Sequence, residues 1–478
     1  MLYIFAIGGS GSRVLRSLTM LLAVGVHTDS NLVPVIIDPD SANGDLNRTV
    51  CALRQYEEVR KGLAFNDTLE NKFFSAVITS LNNDGNYLLP LIGTSGITFD
   101  RYLNLGGMSQ ENQALARMLF SNNNLSSTMD VGFKGNPNIG SIVLNQFTQS
   151  ADFNNFEANF VAGDKVFIIS SIFGGTGASG FPLILKAFRT SNNVALASAP
   201  IGAVSLLPYF NLKTNNESSI QADSFITKAK SALHYYEKNV TGNGTLNDMY
   251  YLGDDFSTQA YNNCDGGYKQ SNDAHFIELL GALAVLDFDK KNFNGAATNT
   301  SFHEFGLNTN PAGSILFSDL GDDTNKIIKK PLSMMAVMNS YLNNRDIKHR
   351  VVQSWAKDRK ALLGESFFNG DFYKNYEKFK KMFEEWMTEM EGNDKSFAPF
   401  KKDVDLASNS SDGLKKIQGT EPAYPGHNPF RKKGYDLIDE LLGKNLSSVP
   451  AGTSASVAFM ELFHKTLSDI CEKNLNIQ

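Results

Sequence analysis

The chain has 478 residues and a formal charge of −6, more length than one hydrophobic core usually serves, so two to three domains are expected. Apolar residues make up 42% and charged residues 20%, a globular composition that argues against a largely disordered or fibrous chain, while the acidic balance gives no general attraction to nucleic acid. The three cysteines, Cys51, Cys264 and Cys471, are far apart and in no ligand spacing, which argues against a disulfide framework or zinc site and fits a cytoplasmic setting.

Leu2 to Ile7 is a short apolar run ending in Gly8-Gly9-Ser10-Gly11-Ser12, after which Val14, Leu15, Leu18, Leu21 and Leu22 recur at helical spacing. That pattern predicts strand, glycine turn and helix rather than a signal peptide, since no basic leader precedes it and Arg13 and Arg16 interrupt it. No later stretch reaches the roughly 18 uncharged apolar residues of a membrane span. A second apolar run, Leu32 to Ile37, ends in Asp38-Pro39-Asp40, and a parallel return through a helix makes a doubly wound unit. From Cys51 to about Asp130 the pattern loosens into helical pieces and Asn/Gly-rich turns, read as an insertion. Lys165 to Ser171 and Val194 to Leu207 are the next expected strands, the second closing with Pro208-Tyr209-Phe210. A helix over Ser219 to Tyr236, a strand over Met249 to Leu252 and an apolar helix from Asp273 to about Leu286 carry the fold onward.

The expected fold class is therefore α/β, a doubly wound parallel sheet in residues 1–290 with 51–130 as its insertion, followed by a mostly helical C-terminal region. Residues 291–392 form a second, α-rich domain, in which only Gly313 to Phe317 reads clearly as strand. Phe372, Tyr376, Phe379, Phe383, Trp386 and Met390 mark an amphipathic helix with Gly392 past its end. Residues 393–434, rich in Lys, Ser, Gly and Pro, read as a linker or long loop, and 435–478 as C-terminal helices marked by Met460, Phe463, Leu467 and Ile470.

Backbone N–H groups at a glycine-rich turn entering a helix converge on one spot and gain from the positive helix end, as phosphate oxygens require. The first such turn, Gly8 to Ser12, reads equally well as a tight structural turn. The second, Gly174-Gly175-Thr176-Gly177-Ala178-Ser179-Gly180, has four glycines and two hydroxyls in seven positions after a β-branched strand, more than a structural turn needs. His275 reads as a core histidine, Ser179 lacks the frame of a hydrolase nucleophile, and the basic run from Arg345 to Lys360 reads as a solvated helix face.

The strand Lys165 to Ser171 followed by Gly174 to Gly180 resembles the signature segment of tubulins and FtsZ, GGGTGTG or GGGTGSG. Three further segments resemble that family in order: Gly8 to Ser12 its first phosphate loop, Gly135-Asn136-Pro137-Asn138-Ile139-Gly140 its GANPxxG loop, and Pro208-Tyr209-Phe210 its Pro-Phe turn. The resemblance, to a divergent bacterial tubulin-like protein, covers about the first 300 residues and implies a GTP/GDP ligand, with Mg2+ left open, and assembly into a homo-oligomer or filament. It assigns Gly9, Ser10, Gly11 and Ser12 to the α- and β-phosphates, Asn136 and Gly140 to the γ-phosphate, and Gly174, Gly175, Thr176, Gly177, Ala178, Ser179 and Gly180 to the phosphates as a whole. Asn272 and Asp273, expected to open the apolar helix, would read the base. Asp287 and Asp289 stand where the family's catalytic acid, donated into the next subunit's site, lies. Arg13 departs from the small or amide residue usual there, and is either a phosphate contact or a solvated charge. Two other readings stay open: a non-polymerising nucleotide-binding scaffold or regulatory module, and an NAD-dependent dehydrogenase with Asp38 or Asp40 on the ribose, which leaves Gly174 to Gly180 unexplained.

Overall fold

A computed structural model describes residues 1–89, 91–94, 96–129, 132–212, 223–241, 244–254, 260–261, 267–305, 313–357, 363–400, 432, 434–475 and 477. The chain divides into two compact units interleaved in sequence. One comprises Met1–Ser17, Thr28–Cys51 and Val77–Gly306, the other Leu18–His27, Ala52–Ala76 and Leu307–Gln478. The sequence reading drew contiguous blocks instead, because nothing in the composition of 18–27 or 52–76 marks them off from their neighbours.

The first unit is built on a parallel sheet. Strands β1 (Leu2–Ile7), β2 (Leu32–Ile37), β3 (Lys165–Ser171), β4 (Ile201–Leu206), β5 (Asp248–Leu252) and β6 (Ser301–Phe305) lie in the order β2-β1-β3-β4-β5-β6. Every neighbouring pair is parallel. All residues of β1, β2 and β4 are buried, as the near-continuous apolar runs of a sheet covered on both faces require. Pro34 in β2 fits its place. The outward N–H groups of Leu32 and Ile36 bond to Val77 O and Tyr87 O, at 2.9 and 2.7 Å. Pro34, between them, has no N–H to give, and among the described residues only two isolated bridges form beyond β2, Leu32 to Ile78 and Ile36 to Leu88. One face of β1 is sealed by aromatic rings: Phe5 lies 4.9 Å from Phe188, 5.1 Å from Phe156 and 6.2 Å from Phe147.

The helices that matter below, each of which begins in this unit, are α1 (Gly8–Ala23), α2 (Gly44–Lys61), α3 (Pro137–Val143), α4 (Gly175–Arg189), α5 (Asp223–Tyr236) and α6 (Phe276–Lys290). Three expectations need correction. Val194 to Ala197 is a helical turn, because the Asn193 side chain caps it, accepting from Ala195 N at 2.9 Å, and the strand begins only at Ile201. β6 was not foreseen. The helix expected to open at Asn272-Asp273 opens at Phe276: His275 is its N-cap, with Nδ1 accepting from Ile277 N and Glu278 closing a capping box.

In the second unit the helices α7 (Asp322–Asn344), α8 (Asp371–Glu391), α9 (Gly434–Asn445) and α10 (Ala455–Asn474) dominate. The expected stripe of α8 is buried, with Tyr373 in the first turn where Phe372 was read, and Gly392 is its C-cap. Gly313 to Phe317 is not a sheet strand: Ile315 makes one isolated bridge to Phe397, and Phe317 begins a 3-10 turn. Of the expected linker, 401–431 and 433 lie outside the described residues. Among the described residues no helix is long and apolar enough to cross a membrane.

Candidate functional site

Strand order decides where a ligand can enter. β1 leads through α1 to β2 on one side of the sheet, and β3 leads through α4 to β4 on the other. The two connections diverge from adjacent strands, so a crevice opens beyond the carboxyl ends of β1 and β3. Both predicted glycine loops lie there.

No residue intervenes between β1 and α1, and Gly8 turns the chain with φ +74°. A Cβ on Gly8 would stand 3.3 Å from Thr176 Cβ and 3.6 Å from Gly177 N, so the two loops touch. Neither helix carries an acidic residue in its first turn, and the N-cap Gly174 offers no side chain to the N–H groups that follow. These donors and two converging helix dipoles are left for an anion. A third element joins them. Asn136 caps α3, accepting from Asn138 N at 3.1 Å with Pro137 at the first helical position. A Cβ on Gly140 would lie 3.0 Å from Gly175 O. Lys228 of α5 donates to Gly135 O at 3.0 Å, and burial pulls its ammonium pKa down.

The loop residues divide into two kinds. A Cβ on Gly9 would meet nothing nearer than Asn43 Nδ2 at 3.9 Å, so space lies above it. Gly11, Gly177 and Gly180 instead face protein: added Cβ atoms would stand 2.9 Å from Ala6 C, 2.6 Å from Ser171 O and 2.8 Å from Ile7 Cγ2. These glycines let α1 and α4 sit flush on the strand ends. The hydroxyls divide likewise. Ser12 is wholly buried and donates to Gly8 O at 3.3 Å, and Ser179 donates to Gly175 O at 2.6 Å. Among the assigned hydroxyls, Ser10, half-buried, and Thr176 at the loop contact are those not turned back on their own helix.

Beside Gly9 runs the segment leading into α6. Asn43, the cap of α2, accepts from Asp45 N at 2.9 Å and Leu46 N at 3.1 Å, and donates through Nδ2 to Gln270 Oε1 at 2.8 Å. Asp45 is 1% exposed; its carboxylate receives Asn272 N at 3.0 Å, Asn272 Nδ2 at 2.8 Å and Arg48 at 2.7 Å. Arg48 also donates to Asn272 O. Arg13 is neither of the alternatives read from the sequence. It is 5% exposed, paired with Glu278 Oε1 at 2.6 Å, and donates to Asp273 O at 2.7 Å. Glu278 also accepts from Tyr209 OH at 2.8 Å; burial raises its pKa and Arg13 opposes the rise. The side chain of Asp273 is exposed, and so is that of Tyr268, at 77%.

Asp287 and Asp289 lie at the opposite end of the sheet, near the first residues of β3 and β5, and differ sharply. Asp289 is 1% exposed. Its Oδ2 accepts from Asp29 N at 2.8 Å and Ser30 N at 3.1 Å, and Oδ1 pairs with Lys165 at 3.2 Å. A carboxylate so engaged fixes the entry to β2, and is not a group to offer a neighbour. Asp287 is 55% exposed in its side chain, with Tyr250 OH at 2.5 Å and Lys291 Nζ at 2.9 Å. Partial burial works against its charge, but these two partners prevail and hold its pKa below the ordinary carboxylate value.

Among the solved structures similar to this chain are three tubulin-like proteins. They are CetZ from Methanosaeta thermophila strain DSM 6194, at 14% identity and TM-score 0.28; CetZ2 from Haloferax volcanii, in a GTPγS-bound protofilament, at 12% and 0.29; and TubZ of Clostridium botulinum phage c-st, truncated at its C-terminal tail, at 13% and 0.22. The matched regions cover 53%, 60% and 53% of this chain and 45%, 58% and 53% of those chains, less than two thirds of each. No family model and no curated protein matches.

Sequence reasoning passed over Asn43, Asp45, Tyr268 and Gln270. The run Asn43-Gly44-Asp45 after β2 was a legible helix cap. Its junction with 268–272 was not, because the partners are 227 residues apart.

Proposed function

We propose that this chain is a guanine-nucleotide-binding protein of the tubulin/FtsZ kind, which holds the nucleotide in the crevice beyond β1 and β3 and self-assembles with it at the subunit interface. The observation that carries the reading is the meeting of two glycine-opened, uncapped helix N-termini at the point where the strand order reverses. The residues fit a polyphosphate: backbone donors, no acid in either first turn, and open space over Gly9. In this reading Gly9, Ser10, Gly174, Gly175 and Thr176 face the phosphates, with Asn136 at the far phosphate. Gly11, Ser12, Gly177, Ala178, Ser179, Gly180 and Gly140 shape the loops. Asn272 and Asp273 meet the base edge, and the exposed ring of Tyr268 offers a stacking face. The nucleotide supplies a scissile phosphoanhydride when bound; Asp287, at the other end of the sheet, is the acid offered to a neighbour's site. No cluster of three metal-ligating side chains occurs among the described residues, so Mg2+ in this reading arrives on the phosphates.

The dehydrogenase reading loses ground in the same place, because Asp40 is engaged with Ala42 N at 3.2 Å and Gly267 N at 2.6 Å. Titration calorimetry with GTP, GDP and ATP tests the proposal: GTP and GDP should bind, ATP more weakly. Absence of any nucleotide binding removes it. Electron microscopy with GTP or a slowly hydrolysed analogue tests assembly.

A further inference from the structure

Asn272 is the residue whose side chain meets the base edge in the reading above, and an amide presents different chemistry from its two ends. Its oxygen accepts and its NH2 donates, so whichever end faces outward decides which base edge fits. In this chain the choice is not left to Asn272. Asp45, buried in the first turn of α2, holds both N–H groups of that residue, the backbone N at Oδ1 and Nδ2 at Oδ2. A carboxylate beside the cation of Arg48 accepts only, so the NH2 must point to Asp45 and the oxygen away from it.

We propose that Asp45 sets the base preference of the site by locking the Asn272 amide with its oxygen outward, so that the crevice takes a purine edge that donates there. The inference rests on the nucleotide reading. Guanine carries donors at N1 and its 2-amino group, whereas adenine presents an acceptor at N1. An outward oxygen facing that edge therefore pairs with guanine, whereas adenine in the same pose sets its N1 acceptor and a C2–H against it and must shift to bring its one donor, the 6-amino group, to the oxygen. Asp45 itself is a positioning residue and touches no ligand.

The experiment measures Kd for GTP, GDP and ATP with the full chain. The wild type should prefer GTP to ATP. Asp45→Asn is isosteric but carries a donor as well as an acceptor, so it no longer dictates the amide's orientation. The Kd ratio of ATP to GTP should then fall about 10-fold or more, the scale of one well-made polar contact, while the ratio of GDP to GTP, set at the phosphate end, stays put. Adding Asn272→Asp to Asp45→Asn exchanges the two groups. The amide now at position 45 donates inward, the carboxylate at position 272 keeps an acceptor outward, and guanine preference should return. A merely structural Asp45 predicts no such rescue. If Asp45→Asn does not fold, Asn272→Ala must still collapse the ATP-to-GTP ratio. Nucleotide binding with no purine preference in the wild type, an unchanged ratio in Asp45→Asn, or no recovery in the exchanged pair overturns this inference and leaves the nucleotide site standing. No nucleotide binding by the wild type overturns both.

Discussion

The glycines of the two loops look alike in sequence, yet they answer to different atoms. Gly9→Val adds its side chain over open space and replaces a poor helix former, so the melting temperature should hold or rise slightly. Losing two charge-assisted hydrogen bonds, at about 1.5 kcal/mol each, weakens GTP binding on the order of 100-fold. Gly177→Val drives a Cβ to 2.6 Å from Ser171 O and should lower stability by about 1–3 kcal/mol. Calorimetry and thermal melting on both variants separate the roles, and a Gly9→Val protein that binds GTP normally would contradict them. Asp38 makes a second case. Burial, with Asp40 and Asp45 nearby, pushes its carboxyl from 3.8 up to about 7, against the hydrogen bond it accepts from Asp40 N. The folded state then holds this proton more tightly than the unfolded chain does. Its contribution is complete below pH ~4 and is lost as pH rises toward ~7, at about 1.4 kcal/mol per unit. Asp38→Asn keeps the acceptor without the charge. Its stability advantage over wild type should be near zero at pH 4 and grow to a maximum by pH 8; parallel pH profiles in urea denaturation would refute this.

Helices and strands were legible in the sequence where a single local rule settles them. β1 is an unbroken apolar run closed by glycine, β3 an apolar stretch between Lys165 and Ser170-Ser171 that leads into the second glycine loop, and both boundaries match the structure. The start of α6 was misplaced by three residues because its cap is a histidine, outside the usual capping set, while the polar pair Asn272-Asp273 mimicked one. β6, Ser-Phe-His-Glu-Phe, carries too many polar residues to read as a parallel strand; it is the last strand of the sheet, and the ring of its Phe302 is 57% exposed. Of the site, the loops were readable and the division of labour within them was not, since whether a glycine faces ligand or strand depends on what lies across from it. The two acids closing α6 show the same limit. They are two residues apart, yet Asp289 answers to Lys165, 124 residues away, and to Asp29, 260 away. Asp289→Ala should cost about 3–5 kcal/mol, the scale for leaving a buried partner charge alone, whereas Asp287→Ala, half exposed, should cost about 0–1 kcal/mol. Urea midpoints of the two variants decide it, and equal losses would mean that the two acids are not distinct.

At the scale of the whole molecule, the proposed crevice and the one exposed acid at the end of α6 lie at opposite ends of the sheet, so no subunit can bring its own Asp287 to its own nucleotide. Turnover, where it occurs, should rise more than proportionally with protein concentration. Asp287→Ala should lower it by about two orders of magnitude, the usual scale for a positioned acid or base, while sparing GTP binding. Phosphate release measured across a concentration series tests this, and a rate strictly linear in protein and unchanged in Asp287→Ala would rule out a shared site. The bond from Arg13 to Asp273 spans 260 residues of sequence, and this has a consequence for synthesis. The Gly8–Ser12 turn and Arg13 behind it are synthesised well before the segment that Arg13 holds, which follows only after most of the first unit has been made. At 5–20 residues per second, about 13–52 seconds pass in which the nascent chain carries this turn without the 268–273 segment beside it. In the proposed reading, nucleotide can stabilise this unit only once the wait is over, so the interval before α6 emerges is when the young chain is most open to proteolysis and to pairing with the wrong partner.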